Sequence, residues 1–108
     1  MGNHRKVYVA CRLSRSAFSG ERVFRVTCSN GSEHVGVAPV HYCRTSDGNP
    51  IGPNAPAKGE RITGFVQGLS VENGGDEMAV ALPDGNTVKV TLDQLRSAED
   101  VHHVPVGS

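Results

Sequence analysis

Between Arg61 and Arg96, three apolar stretches are separated by two glycine-bearing turns, a spacing that commits this part of the chain to antiparallel strands. The stretches are Ile62–Val71, Met78–Leu82 and Val88–Leu92, and the turns are Asn73-Gly74-Gly75-Asp76 and Asp84-Gly85-Asn86. Tight hairpins need residues that accept positive φ, and Gly, Asn and Asp do so at the least steric cost. The run therefore reads as a β-meander. A weaker hairpin signal, turning at Asn30-Gly31, stands near the N-terminus.

Upstream, Val7-Tyr8-Val9-Ala10-Cys11-Arg12-Leu13 alternates with period two, which predicts a strand burying Val7, Val9, Cys11 and Leu13. Phe18 is the only large apolar residue of the loop Ser14–Gly20 and is expected to pin that loop to the core. Arg22–Cys28 reads as a second strand with Phe24, Val26 and Cys28 inward and Val23, Arg25 and Thr27 outward. A third strand, His34–Ala38, is expected to carry Val35 and Val37 inward and to end at Pro39, which lacks a ladder donor.

Residues 46–60 (SDGNPIGPNAPAKGE) break the pattern. This stretch holds three prolines and three glycines, and its one large apolar residue is Ile51. Such composition makes a linker or a long irregular loop, and long loops in compact domains often contact ligands. The chain thus divides into a basic half (1–45), a Pro/Gly-rich joint (46–60), a meander half (61–97) and a weakly patterned tail (98–108). Within that tail Val101–Val106 could add an edge strand, and His102-His103 would point to opposite sides of one. Superposing the Gly31 turn on the Gly85 turn sets Val26 on Val80 and Cys28 on Leu82. Val35 and Val37 then meet Val88 and Val90 only after a one-residue slip. An internal duplication is one reading of that match. The likeness of all glycine hairpins is the other.

With 108 residues and 37% hydrophobic content, one modest core is affordable, and two separate cores are not. The expected fold is all-β: a single domain with a small, strongly curved sheet or barrel of six to eight short strands, in two similar halves. From about Lys58 to Ser97 the order is a curved strand interrupted by Gly64 and Gly68, a hairpin at Asp84-Gly85, and a close at Val90–Leu95. In this the chain resembles the SH3-like small β-barrels, including the Tudor and KOW groups. The resemblance implies a binding module in place of an enzyme.

Net charge is zero, but residues 1–54 carry seven Lys or Arg against three acids, and residues 55–108 carry four against eight. Either the halves attract each other inside one barrel, or the asymmetry marks a partner surface. Arg12, Arg25 and Arg44 are the candidate partner-binding residues. With Arg5, Lys6, Arg15 and Arg22 they could also contact phosphates, although Tyr8 and Phe18 are the only aromatics near enough in sequence to stack on bases. Cys11, Cys28, His41 and Cys43 offer a Cys₃His zinc alternative. Cysteine behaving as a small core hydrophobe competes with it, and no Cys-x₂-Cys knuckle is present. A cysteine hydrolase would need a base and an oriented thiolate that no local motif supplies. Five scattered aromatics furnish neither a proline-recognition groove nor a methyl-lysine cage.

No apolar run reaches the ~20 residues of a membrane helix, and an odd cysteine count does not complete a disulfide framework. The expectation is a cytoplasmic, non-catalytic interaction module without cofactor, binding a protein or a second copy of itself. Nucleic-acid binding by the basic half and zinc binding remain its rivals.

Overall fold

In a computed structural model, residues 5–97 are described. They form eight strands: β1 (Arg5–Arg15), β2 (Glu21–Thr27), β3 (Glu33–Pro39), β4 (Cys43–Thr45), β5 (Ile62–Asn73), β6 (Glu77–Ala81), β7 (Thr87–Thr91) and β8 (Leu95–Ser97). Short 3₁₀ turns, Val40–Tyr42 and Leu92–Gln94, lead into β4 and β8. The predicted meander is β5 to β7, and Gly31, Gly75 and Gly85 all take positive φ in their turns. The segment Val101–Val106 and the pair His102-His103 lie outside the described residues. Among the described residues no helix is long and apolar enough to cross a membrane.

All strands belong to one antiparallel sheet in the order β3-β2-β1-β5-β6-β7, with β4 added to β5 and β8 added to β1. Bonds beyond the ladders curl it. Ser29 N–H donates to Lys89 O at 2.8 Å, and Gln94 Nε2 donates to Thr27 O at 2.7 Å. His34 Nε2 meets Asp84 Oδ2 at 2.8 Å. These three contacts tie the β2–β3 hairpin to the β6–β8 end, so the sheet is a nearly closed barrel around Val9, Leu13, Phe24, Val26, Val66, Val80 and Val90. Closure hides most of the edge that an open sheet would leave unpaired.

The two halves repeat each other. Each ends in a strand, a 3₁₀ turn and a three-residue strand, and that last strand pairs with the first strand of the other half. Cys43 lies opposite Val66 and Leu95 opposite Val9; Arg44 lies opposite Phe65 and Arg96 opposite Tyr8. The hairpin bonds match as well: Gly31 N to Cys28 O and Cys28 N to Ser32 O correspond to Gly85 N to Leu82 O and Leu82 N to Asn86 O. The first strands, β1 and β5, meet over nine registered pairs and form the seam between halves.

Close approach of neighbouring strands explains the glycines of β5, and at Gly64 the neighbour is the exchanged strand β4. A Cβ on Gly64 would run into the Arg44 carbonyl and come within 2.9 Å of Leu13, and one on Gly68 would lie 2.6 Å from Val80. These positions let β4 and β6 cross β5 closely. The ladder irregularity itself falls between Ser70 and Glu72, not at either glycine.

Three expectations are corrected. Val35 and Val37 face outward, 46% and 42% exposed, and the inward positions of β3 are Gly36 and Ala38. The cause is Phe24, whose ring fills the space beneath β3; a Cβ at Gly36 would stand 2.5 Å from its Cζ. The one-residue slip between the halves is corrected with it: burial pairs Ala38 with Val90, which is a slip of two residues from the alignment of the Gly31 and Gly85 turns. Phe18 is 69% exposed and does not anchor its loop. Arg22 is wholly buried, so it is no phosphate contact.

Arg22 is what holds the 46–60 joint. Its Nε donates to Ala55 O at 2.8 Å, its Nη1 to Ser19 O and Glu21 O at 2.7 Å each, and its Nη2 to Gly52 O and Pro53 O at 3.2 Å. Arg15 Nε adds a bond to Pro56 O at 2.9 Å, and Ile51 and Pro56 are buried against the barrel. The irregular segment pairs few of its carbonyls with its own amides (Gly52 O with Ala55 N–H, Ala57 O with Glu60 N–H), and the guanidinium fork supplies donors to Gly52, Pro53 and Ala55.

Candidate functional site

Registered neighbours in a sheet project from the same face. Val9, Cys11 and Leu13 of β1 point into the core, so Tyr8, Ala10 and Arg12 point out. The register then brings three outward rows together: Arg25, Arg12 and Thr63; Ala10, Phe65 and Arg44; Arg96, Tyr8 and Gln67. Arg12, Arg25 and Arg44 therefore share one face, with Arg12 and Arg25 directly opposite each other and Arg44 a row away. Arg96 joins them from β8, and it was not singled out from the sequence.

Arg44 and Arg96 occupy equivalent places in the two halves and behave alike. Arg44 Cζ lies 5.7 Å over the Tyr8 ring and Arg96 Cζ 6.0 Å over the Phe65 ring. Arg44 Nη1 donates to His41 O and Cys43 O, both at 3.0 Å, and Arg96 Nη1 to Asp93 O and Leu95 O at 3.1 and 2.8 Å. Each guanidinium covers an aromatic ring and closes a 3₁₀ turn. Tyr8 is fully buried beneath this layer, its hydroxyl 3.3 Å from Gln67 Oε1. It is no open platform for a base.

Beside the first row lie two neighbouring cavities, of ≈ 570 Å³ and ≈ 530 Å³, which have Arg25 and Arg61 in common. Five cations (Arg12, Arg15, Arg25, Lys58 and Arg61) and two carboxylates (Glu33 and Glu60) border them. Arg25 Nη1 reaches Glu33 Oε1 at 3.6 Å, while its Nε is buried without a hydrogen-bond partner. Glu60 Oε1 accepts from Ala57 N–H at 2.9 Å, which fixes that carboxylate in its turn. Lys58 and Arg61 come from the joint and the acidic second half. Their contribution could not be read from charge counts along the chain.

The four residues of the zinc alternative are not brought together. Cys11 and Cys43 are buried in the core, Cys28 is half-buried beyond β2, and His41 is exposed with its ring 4.6 Å from that of Tyr42. Among the described residues no group of three or more His, Cys, Asp or Glu could hold a metal ion. Burial pushes the Cys43 thiol up to about 11, against the opposing pull of Arg22 and Arg44. Burial likewise raises Cys11, with Cys43 adding to the shift. At neutral pH both are thiols, the unreactive form.

His34 and Asp84 join the halves at the barrel's closing edge. Burial alone would raise the Asp84 carboxyl, but hydrogen bonds from Asn86 and His34 outweigh it and hold it below its ordinary value. A depressed folded pKa contributes stability above the unfolded pKa of about 3.9, and that stability is lost as pH falls through the folded value. Asp84→Ala is expected to cost about 1 kcal/mol at neutral pH. Urea unfolding should show this gap between wild type and variant narrowing once the pH drops below about 3.9. A gap unchanged down to that range would remove the carboxylate's role in closure.

Comparison with known proteins finds no matching family model, no matching curated protein and no matching solved structure.

Proposed function

We propose that this chain is a non-catalytic binding module whose outward arginine face holds an acidic segment of a protein partner. The observation that carries the reading is the directly opposed pair Arg12 and Arg25. Like charges facing each other across a ladder are destabilising, and a bound anion relieves the repulsion. Two cavities stand beside the pair, and cations outnumber carboxylates around them. A protein segment is favoured over nucleic acid because Tyr8 is covered and Phe65 lies beneath Arg96, which leaves as the exposed ring Phe18, on the loop after β1 and outside the arginine rows.

In this reading the barrel is two SH3-like units that exchange their last strands, since each half closes with the strand, 3₁₀ turn and short strand order of that group. Its loops and outward face are free for recognition, and its three free thiols suit the reducing cytoplasm.

The test is binding of a peptide of mixed Glu, Asp and Ser to the full chain, followed by anisotropy. Arg12→Glu with Arg25→Glu should weaken it at least ~10-fold, with affinity falling as salt rises. Mixed-sequence RNA or DNA bound more tightly than the peptide, with the same arginine dependence, would replace the protein partner by a nucleic acid. A dimer seen by light scattering and abolished by the same double variant would identify a second copy as the partner. No arginine-dependent binding of any kind would sink the reading.

A further inference from the structure

We infer that the ≈ 570 Å³ cavity between the start of the arginine face and the joint is a phosphoryl-group subsite. The inference rests on the reading of that face as a binding surface and names the chemistry of the group it takes.

The cavity lies where the end of β1 and the joint approach each other, with Arg25 entering from β2. Arg25, Lys58 and Arg61 border it, with Arg15 at its rim. Arg15 has its Nε committed to Pro56 O, and the Glu60 carboxylate is held by the Ala57 amide. Lys58 and Arg61 make no hydrogen bond or ion pair among the described residues. Arg25 adds a buried Nε–H that no protein acceptor reaches. Unpaired buried donors are uncommon in folded proteins, and each costs free energy until an acceptor arrives.

Charge and donor count then select the ligand. Arg25 already has Glu33 at 3.6 Å, so a single carboxylate would offset one of the two unpaired cations, Lys58 and Arg61, and leave the other unanswered. A phosphate ester carries close to two negative charges at neutral pH and presents three strong acceptor oxygens. It matches a lysine and an arginine at the end of the joint together with the Arg25 guanidinium from β2, because charge-assisted bonds to phosphate are among the strongest available to these side chains. Ser14 also borders the cavity and can donate a hydroxyl, whereas Ser16 already bonds Phe18 N–H and Glu21. The phosphoryl group comes either from a phosphoserine within the acidic partner segment or from a small free phosphate.

The experiment compares two peptides on the full chain: the acidic peptide described above, and the same peptide with one central phosphoserine. Inorganic phosphate serves as a third probe. Phosphorylation should tighten binding at least ~10-fold for wild type and less than ~2-fold for Lys58→Ala with Arg61→Ala. Both side chains are exposed, so this variant keeps the fold, which far-UV circular dichroism checks. Millimolar inorganic phosphate should shift the Arg25 Nε–H resonance in wild type and leave it in place in the double variant. If phosphate shifts the resonance but neither peptide binds, the subsite takes a free phosphate and the protein-segment reading falls. If the acidic peptide binds while phosphorylation adds nothing and phosphate shifts nothing, the subsite is refuted and the arginine face stands.

Discussion

Arg22→Met is expected to lower the free energy of unfolding by about 4 kcal/mol, the largest loss from any single polar side chain in this barrel. Methionine fills much of the same volume, so the change removes donors with little loss of packing. Five carbonyl oxygens, from Ser19, Glu21, Gly52, Pro53 and Ala55, lose the guanidinium together, and of these Gly52 O keeps the Ala55 N–H. An orphaned buried acceptor costs about 1–3 kcal/mol, and water entering from the joint recovers part of that sum. Removing the charge also refunds its desolvation, which is why the expectation stays well below five full penalties. Arg22→Lys should recover less than half of the loss, because one ammonium with three donors cannot span carbonyls on both the 16–20 loop and the joint. Urea denaturation reads the result as a midpoint about 2 M lower for Met at an unfolding slope of about 2 kcal/mol per molar. Limited trypsin digestion gives a second reading, since a released joint exposes the bond after Lys58. A loss under about 1 kcal/mol, with no faster cleavage, would show that the joint holds itself.

Arg22 also marks where the sequence stops being legible. Period-two alternation placed Val9, Cys11 and Leu13 inward, and turn chemistry placed Gly31, Gly75 and Gly85 at positive φ, because both rules depend only on near neighbours along the chain. Arg22 sits on the inward phase of β2, beside Phe24 and Val26. Read alone, an arginine there looks like a strand end reaching water. Its role depends on a joint thirty residues away, whose conformation no local pattern encodes. The inversion of β3 has the same origin. Two valines alternating with glycine and alanine signal burial by hydropathy, yet Phe24 had already taken the interior volume.

The arginine face was half visible. Alternation put Arg12 and Arg25 outward, and their direct opposition needed the register of β1 with β2. Counting charge by halves suggested a basic N-terminal part facing an acidic C-terminal part. Exchange of β4 and β8 breaks that division, because each half contributes its final strand to the other's surface. Arg96, from the half with the acidic excess, thereby stands on the same outward face as Arg12, Arg25 and Arg44, and Arg61, just before β5, borders the cavities beside Arg25. Asp76 and Asp93 remain at exposed turns. Sequence position and spatial position are decoupled by topology, so a charge run along the chain is a poor guide to charge on this surface.

The exchange itself is tested at Gly64. This residue pairs with Cys11 on one side and Thr45 on the other, and its Cα faces the crossing of β4 over β5. Gly64→Val is expected to destabilise the fold by about 3 kcal/mol, because the nearest obstacles are the Arg44 backbone carbonyl and a Leu13 methyl group. A backbone carbonyl cannot swing aside as a flexible side chain can, so β4 must move as a unit. Gly20→Ala is the control: a Cβ there meets nothing within 4 Å, and the change should stay within about 0.5 kcal/mol of wild type. The two contributions to Gly64→Val separate in a deletion. If steric exclusion is the cause, shortening the chain to residues 61–97 relieves it, because that fragment lacks both β4 and the Leu13 side chain. The same substitution should then leave any residual structure of the fragment unchanged by circular dichroism. An equal loss of strand signal in the fragment would place the glycine's importance within β5 itself, and the close crossing of the two halves would no longer explain why this strand carries glycine at its centre.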